Sequence, residues 1–212
     1  MIIGLSGYAK SGKDTVAYMI QDLEKTEWQI KKFSGKLKTI ASLLTGIHPD
    51  KFEDQEFKQS YLGPEWSYPV DIPNHGAEEW DMSVRELLQR LGTDAIRNGL
   101  HTNAWVNALM SDYLEEDKEE RLGDYIKRVT PASKWIITDV RFPNEAQAIK
   151  DRGGVIVRID RPGVDPVNTH PSETALDNWD FDYKIANASD LVALKQTVEV
   201  VLKKIYERHN KN

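Results

Sequence analysis

Cysteine is absent from this sequence, and its absence excludes both disulfide bonds and metal sites built on thiolates. No apolar stretch reaches the length that a membrane-spanning helix needs, so we expect no membrane partner. Positive charge is scarce, because 28 Lys and Arg face 34 Asp and Glu and leave a net charge of −6. This balance argues against a general nucleic-acid binder, but it allows a local basic pocket for a small phosphate ester.

What the chain does contain favours a globular α/β protein. Its 212 residues suffice for one domain with insertions, and a hydrophobic content of 40% can form a sizeable core. The chain begins with an apolar run, Ile2, Ile3 and Leu5, which is typical of a buried strand rather than of a signal peptide. We therefore expect a soluble cytoplasmic protein.

A glycine-rich segment follows that first strand directly. Gly7 and Gly12 enclose four residues and Lys13 comes next, which is the spacing of a phosphate-binding loop. Apolar residues at helical spacing continue to residue 20, so the motif lies between a strand and a helix, as its chemistry requires. The alternative, a turn that only joins a strand to a helix, is disfavoured because motif, context and position agree.

The residue types of this loop suit an anion. Glycine takes backbone angles that are closed to other residues, and successive backbone N–H groups can then turn toward a phosphate. The start of the helix adds partial positive charge, and the lysine supplies a cation for the β- and γ-phosphates. The candidate ATP-binding residues of the loop are Gly7, Ala9, Lys10, Ser11, Gly12 and Lys13.

One residue departs from the usual motif. Asp14 stands where the motif has Ser or Thr, and Thr15 follows it. A hydroxyl would ligate Mg²⁺ directly, whereas Asp14 would act through a bound water or orient a phosphate acceptor. Both residues are candidates for the donor site, and Asp14 is a candidate metal ligand.

Later apolar runs predict four more strands, at residues 28–33, 135–138, 154–159 and 183–186. Helical patterns lie between them, one opened by Ser83 in a capping box with Glu86 and a last one capped by Ser189. Right-handed crossovers then give a parallel five-stranded sheet with helices on both faces. We expect residues 46–81 to form a long irregular stretch. We expect residues 115–121 to form a charged face or a loop.

Four charged residues outside the loop are further candidates. Lys38 lies near the start of a helix, either solvated or at the mouth of the phosphate site. Arg85 lies in the first turn of its helix, where a cation opposes the dipole but suits a phosphate. Asp139 follows a buried strand at the sheet edge where ligands bind, and can hold Mg²⁺ or its waters. Arg141 can make bidentate bonds to a phosphate group. Alternatively, Asp139 and Arg141 pair with each other or cap a helix.

Several stretches together resemble one family, the deoxynucleoside monophosphate kinases of tailed bacteriophages, a branch of the P-loop nucleotide kinases. The glycine-rich motif alone indicates only the superfamily. The combination of all the matching stretches is much more specific to this family, and the resemblance covers most of the chain. Residues 46–81 match least. The stretches are residues 7–15 with their Lys-Asp-Thr ending, 83–85, 91–94, 105–106, 138–146 and 161–163.

The resemblance implies a P-loop NTPase fold and transfer of the γ-phosphoryl group of ATP to a deoxynucleoside 5′-monophosphate, with Mg²⁺. It implies a single domain over 1–212, with a core of 1–45 and 130–212, an acceptor-binding insertion at about 46–129 and a lid at about 161–182. Arg161 would reach the ATP side. The implied acceptor-binding residues are Ala9, Lys38, Arg85, Gly92, Thr93, Trp105, Asp139, Arg141 and Glu145. The catalytic candidates are Lys13, Arg85, Asp139 and Arg141, and the metal ligands Asp14 and Asp139.

Two other functions stay open beside this one. A P-loop kinase for another small acceptor, such as dephospho-coenzyme A, has the same first motif. A nucleotide-switched binding protein would bind ATP without transfer, although Arg85 and Arg141 favour an acceptor site. The expected partners are small-molecule nucleotides, not nucleic acid or membrane, and a homodimer is one assembly that the resemblance allows. If the protein is viral, its expected location is the cytoplasm of the host cell.

Overall fold

The computed structural model describes residues 1–25, 28–73, 75–122, 125–166 and 170–210. The chain divides into two compact units, one formed by residues 1–33 with 106–212 and the other by residues 34–105. None of the helices in the described part of the chain is long and apolar enough to cross a membrane. The expected boundaries of the core, the acceptor-binding insertion and the lid stay predictions.

The bounds of the strands and helices follow the chain. The strands are β1 (Ile2–Ser6), β2 (Gln29–Lys31), β3 (Tyr68–Ile72), β4 (Gly76–Trp80), β5 (Lys118–Leu122), β6 (Tyr125–Thr130), β7 (Trp135–Ile137), β8 (Val155–Asp160) and β9 (Tyr183–Ala186). The α-helices are α1 (Lys13–Glu24), α2 (Gly35–Thr45), α3 (Val84–Gln89), α4 (Ala104–Met110), α5 (Pro143–Lys150), α6 (Pro171–Thr174) and α7 (Leu191–His209).

The first unit is built on a parallel five-stranded sheet in the order β2-β7-β1-β8-β9. The prediction of five parallel strands is confirmed. Strand β1 lies in the centre, where Ile3 pairs with Ile136 of β7 on one side and with Val155 of β8 on the other. Since all five strands run the same way, their carboxyl ends meet at one edge of the sheet.

Helices cover both faces of this sheet because successive side chains of a strand point to opposite sides. Ile3 and Leu5 of β1 pack into one core cluster with Val16 of α1 and Leu194 of α7. On the other side, a Cβ at Gly4 would lie 2.8 Å from the Cδ1 atom of Ile149 in α5. This helix therefore packs closely on the centre of the sheet, and only glycine fits beneath it.

Two expectations for the first unit need correction. Residues 118–121, within the stretch 115–121 that was expected as a charged face or loop, are not a loop but part of β5, which pairs antiparallel with β6. The last helix is capped by Asp190 rather than Ser189, because the Asp190 carboxylate accepts a hydrogen bond from the N–H of Ala193 at 2.9 Å. Aspartate and serine are both favoured as the N-cap residue of a helix. The sequence therefore did not distinguish Ser189 from its neighbour Asp190.

The second unit contains α2, α3, a hairpin and several short helices. Residues 46–81, expected to be irregular, form three 3₁₀ turns and the antiparallel hairpin β3–β4. Phe52 in the first of these turns is fully buried with Ala41 and Val84. Phe57 packs against the same cluster, so these two aromatic residues contribute to local packing.

Glu86 fastens the hairpin to α3. Its carboxylate accepts hydrogen bonds from the Tyr68 hydroxyl at 2.7 Å and from the Trp80 indole at 2.9 Å. The Ser83 hydroxyl accepts from the N–H of Glu86 at 3.1 Å, so the predicted serine cap is confirmed. The other half of the expected capping box is replaced by these contacts to the hairpin.

Helix α3 continues directly as a π-helix, Arg90–Asn98. A Cβ at Gly92 would lie 2.8 Å from the Cδ2 atom of Leu37, so this turn packs tightly against α2. The indole N–H of Trp105 donates to the carbonyl of Gly92 at 2.8 Å. Wide helical turns of this kind are rare and occur frequently at functional sites.

Candidate active site

The glycine-rich loop lies at the carboxyl end of β1 and requires its two glycines. Gly7 and Gly12 have φ angles of +145° and +102°, which other residues rarely adopt. A Cβ at Gly7 would lie 2.4 Å from the carbonyl oxygen of Ile159, and one at Gly12 would lie 2.6 Å from Nδ2 of Asn187. The loop therefore wraps closely around the ends of β8 and β9.

Neighbouring residues hold the loop from outside. The Asn187 side chain donates to the carbonyl of Ser11 at 2.9 Å, and Arg161 makes a longer contact to the carbonyl of Lys10 at 3.5 Å. The Ser11 hydroxyl is buried and has no hydrogen-bond partner among the described residues. An orphaned hydroxyl inside a loop of this shape fits a bound phosphate, which would supply the missing partner.

Lys13 closes the loop with its side chain. Its ammonium group donates to the carbonyl of Gly7 at 2.8 Å and to that of Tyr8 at 2.7 Å. Burial and, to a smaller extent, the positive charge of Arg141 lower the pKa of Lys13 to about 8. The partial desolvation of this cation increases its attraction for an incoming anion.

Two carboxylates lie beside the loop in the first unit. The carboxylate of Asp14 is 3.4 Å from the ammonium group of Lys32, and that of Asp139 accepts a hydrogen bond from the N–H of Phe33 at 2.8 Å. No group of three acidic or imidazole side chains suited to a metal occurs in the part of the chain that the structure describes. Mg²⁺ commonly takes one or two carboxylates together with substrate phosphates, so Asp14 and Asp139 have the right chemistry for it. Thr15 is solvent-exposed at the start of α1.

Arg141 follows β7 and pairs with a residue that the sequence did not connect to it. One guanidinium nitrogen, NH1, donates to Glu173 Oε1 at 2.6 Å and to the carbonyl of Ser172 at 2.9 Å. Burial opposes the charge of Arg141, but Glu173, Asp139 and Glu145 outweigh it and raise the pKa above the ordinary arginine value. Arg141 is therefore a permanent cation beside Lys13.

Glu145 shapes the backbone that carries Arg141. Its carboxylate is buried and accepts hydrogen bonds from the N–H groups of Arg141 at 2.9 Å and Phe142 at 3.1 Å. The glutamate thus caps the start of α5. This contact fixes where the Arg141 side chain leaves the main chain.

The remaining predicted residues belong to the second unit. Lys38 pairs with Glu53 at 2.5 Å, and Arg85 donates to the side-chain oxygen of Gln55 at 3.2 Å. Thr93 is buried in the π-helix, where Gly92 and Trp105 are joined by the indole hydrogen bond. The indole edge of Trp105 therefore serves the backbone of this unit, and its ring is only 7% exposed.

A cluster around Tyr8 was missed by the sequence analysis. The guanidinium of Arg158 lies 4.6 Å from the centre of the Tyr8 ring and 5.6 Å from that of Phe181. The Tyr8 hydroxyl donates to Asp177 at 2.9 Å, and burial together with this carboxylate raises the pKa of Tyr8. These residues fix one wall of the loop, but sequence spacing gives no sign of it because Tyr8 and Asp177 are 169 residues apart.

Comparison with known proteins bears on what this site is for. The sequence model of a family described as "Deoxynucleotide monophosphate kinase" matches residues 70–198. A putative deoxynucleotide monophosphate kinase of Acanthamoeba polyphaga mimivirus is 30% identical over 184 residues, covering 83% of this chain and 82% of its own. The deoxynucleotide monophosphate kinase of Enterobacteria phage T4 is 28% identical, covering 95% of this chain and 98% of its own.

A third relative, the deoxynucleoside-5′-monophosphate kinase of Escherichia phage T5, is 23% identical and covers 90% of each chain. The match to the phage T4 protein covers 95% of this chain and therefore includes parts of both units of the structure. The family match alone extends over more than half of the sequence. The chain belongs to the deoxynucleotide monophosphate kinase family.

Proposed function

We propose that this protein transfers the γ-phosphoryl group of ATP to a deoxynucleoside 5′-monophosphate and releases ADP and a deoxynucleoside diphosphate. The observation that carries the proposal is the presence of two cations at the glycine-rich loop of a family member. The Lys13 ammonium group donates to the carbonyls of Gly7 and Tyr8, and the charge of Arg141 acts on it. Two cations at one edge of a parallel sheet suit a reaction between two phosphate groups. Such a reaction needs positioning and charge neutralisation more than covalent participation by the protein.

The donor phosphates bind in the loop between Gly7 and Lys13 in this proposal. The backbone N–H groups and the hydroxyl of Ser11 donate to them, and the ammonium group of Lys13 leaves the carbonyls of Gly7 and Tyr8 to reach the β- and γ-phosphates. Thr15 and Arg161 contact the ATP from the helix and from the segment after β8. An ammonium group already turned into the loop has only a short distance to move.

Mg²⁺ would be held by Asp14 and Asp139 and would neutralise charge on the donor phosphates when bound. The ammonium group of Lys32, 3.4 Å from Asp14, keeps that carboxylate oriented until then. The same carboxylate is 62% exposed, so it is accessible to a hydrated cation.

Arg141 binds the acceptor monophosphate in this proposal, and the resemblance to the family adds Arg85, Lys38, Gly92, Thr93 and Trp105 as residues that would contact the acceptor. Glu145 acts through the backbone of Arg141. Closure of the segment at about 161–182 would exclude water, which otherwise hydrolyses ATP; residues 167–169 of this segment lie outside the described part of the chain.

A panel assay tests this function. The protein is mixed with ATP, Mg²⁺ and each common deoxynucleoside monophosphate, and the products are separated to detect the diphosphate. Dephospho-coenzyme A in the same panel tests the alternative that the protein is a P-loop kinase for another small acceptor. ATP binding without phosphorylation of any acceptor would contradict the proposal and favour a nucleotide-switched binding protein.

The relatives named above come from viruses, and from this we infer that the protein acts on small nucleotides in the cytoplasm of a host cell. A homodimer is the assembly that we propose for it. Light scattering of the purified protein would report its mass directly, and the mass of a single chain would contradict that assembly.

A further inference from the structure

Glu173 is a buried carboxylate whose position needs a reason. Its side chain is only 3% exposed, and it lies on the short helix α6 facing Arg141. A buried carboxylate is costly unless a cation and hydrogen bonds compensate for its lost hydration. Arg141 supplies both, at 2.6 Å.

The contact involves one side of the guanidinium group alone. NH1 of Arg141 makes both the bond to Glu173 and the bond to the carbonyl of Ser172. Within the described residues, Nε and NH2 donate to no other group, and 37% of the Arg141 side chain stays exposed. A guanidinium group held in this way presents its second edge, which has the geometry for two parallel bonds to a phosphate.

The segment that carries Glu173 is attached to the loop at a second point. Asp177 accepts the hydrogen bond from Tyr8, and its carboxylate is 3.6 Å from Arg158. Leu176 between these contacts is buried. In this structure, residues 170–177 therefore contact both the glycine-rich loop and Arg141.

We propose that Glu173 is a positioning residue for the transfer reaction, which binds NH1 of Arg141 so that the Nε–NH2 edge of the guanidinium faces the acceptor phosphate. The inference rests on the proposed function, because it assumes that Arg141 binds that phosphate. Glu173 touches no substrate and acts through Arg141. It also supplies a negative charge near two cations, so that Lys13 and Arg141 can lie close together before the substrates bind.

The variants Glu173→Gln and Glu173→Ala test this role in graded form. Glutamine keeps the shape and one acceptor oxygen but removes the charge, whereas alanine removes both. We expect kcat/KM for the acceptor to fall about tenfold in the first and further in the second, with the Kd for ATP unchanged, since a misplaced group weakens the transition state.

A double-mutant cycle separates positioning from general structural support. In an Arg141→Met background, Glu173→Gln should have little further effect on kcat/KM, because its partner is already missing. An equal tenfold loss in both backgrounds would overturn the inference, as would wild-type kinetics in the single variant.

Asp182→Asn is the matched control. Asp182 is a carboxylate with 7% side-chain exposure that also pairs with an arginine, Arg208, at 2.7 Å, but it precedes β9 at the opposite edge of the sheet. This variant should lose stability and keep its kinetic constants. A drop in kcat/KM as large as that of Glu173→Gln would mean that loss of any buried ion pair impairs the enzyme.

The failure of the two proposals can be told apart. A wild-type protein that phosphorylates no deoxynucleoside monophosphate refutes the proposed function. The side-chain ¹⁵N resonance of Arg141 then decides the inference without turnover, because it should move in Glu173→Gln. An unchanged resonance would mean that Glu173 does not hold the guanidinium group.

Discussion

The two edges of the parallel sheet use buried charge differently. At the amino edge, Asp182 is fully engaged by Lys150 at 2.5 Å, Arg208 at 2.7 Å and the N–H of Ile156 at 2.8 Å. At the carboxyl edge, Lys13 donates to two backbone carbonyls, and Arg141 donates to Glu173 through only one of its guanidinium nitrogens. Charges that are satisfied inside the protein stabilise the fold, whereas donors that keep spare capacity are available to a ligand.

Among the variants that compare the two edges, Lys13→Ala should cause the largest change, and the change should be in the rate of transfer. We expect transfer to fall about 100-fold or more, because a preorganised cation aimed at the phosphates is lost. The melting temperature should stay close to that of the wild type, since burial already opposes the charge of this lysine. A coupled ADP assay and a thermal melt measure the two quantities, and near-normal transfer would remove Lys13 from the donor site.

Asp182→Asn should show the reverse pattern. The free energy of unfolding should drop by about 2 kcal/mol, because two cations and one backbone N–H lose a charged acceptor. Urea denaturation at neutral pH measures this change. Unaltered stability would mean that the ion pairs at the amino edge contribute little, and the contrast between the edges would fail.

Arg85→Ala tests whether this arginine contributes a cation to the reaction. We expect about a tenfold rise in the acceptor KM or fall in kcat, as for loss of one charged phosphate contact. Lys58→Ala, on a short helix of the same unit, is the control for a general change in charge. Wild-type constants in Arg85→Ala would exclude it from the acceptor site.

The smallest expected effect is the pH dependence of the Asp182 contribution. Burial alone would raise the pKa of Asp182, but its bonds to Lys150, Ile156 and Arg208 lower it below the usual aspartate value. The stabilisation is therefore complete above the unfolded-state pKa of about 4 and is lost as the pH falls through the folded-state value. The gap in stability between wild type and Asp182→Asn should narrow in acid, and a constant gap would contradict the lowered pKa.

Local signals allowed much of the first unit to be predicted. Each of these signals is short in sequence. The glycine spacing with Lys13 spans only a few residues, and so does each apolar strand, so a short stretch of sequence is enough to recognise it. The second unit was less predictable, because the hairpin β3–β4 is held by a bond from Tyr68 to Glu86, 18 residues later. Tertiary contacts of this kind override local propensity.

The candidate site was predicted only in part for the same reason. Lys13, Asp139 and Arg141 lie near the ends of apolar strands, where topology gives them meaning. Glu173 is 32 residues from Arg141 and lies in a polar stretch without periodicity, so nothing local connects the two. The role of Glu145 at the acceptor stays a prediction, and its hydrogen bonds from the N–H groups of Arg141 and Phe142 are contacts that the sequence did not indicate.

The central position of β1 has a consequence for how the molecule forms. Ile3 is synthesised well before both of its neighbouring strands, in which it pairs with Ile136 and Val155. Pairings between such distant segments are slow to form because a long stretch of chain must first be brought together. A nascent chain that stops before β8 should therefore be unable to retain ATP, however complete its glycine-rich loop is in sequence.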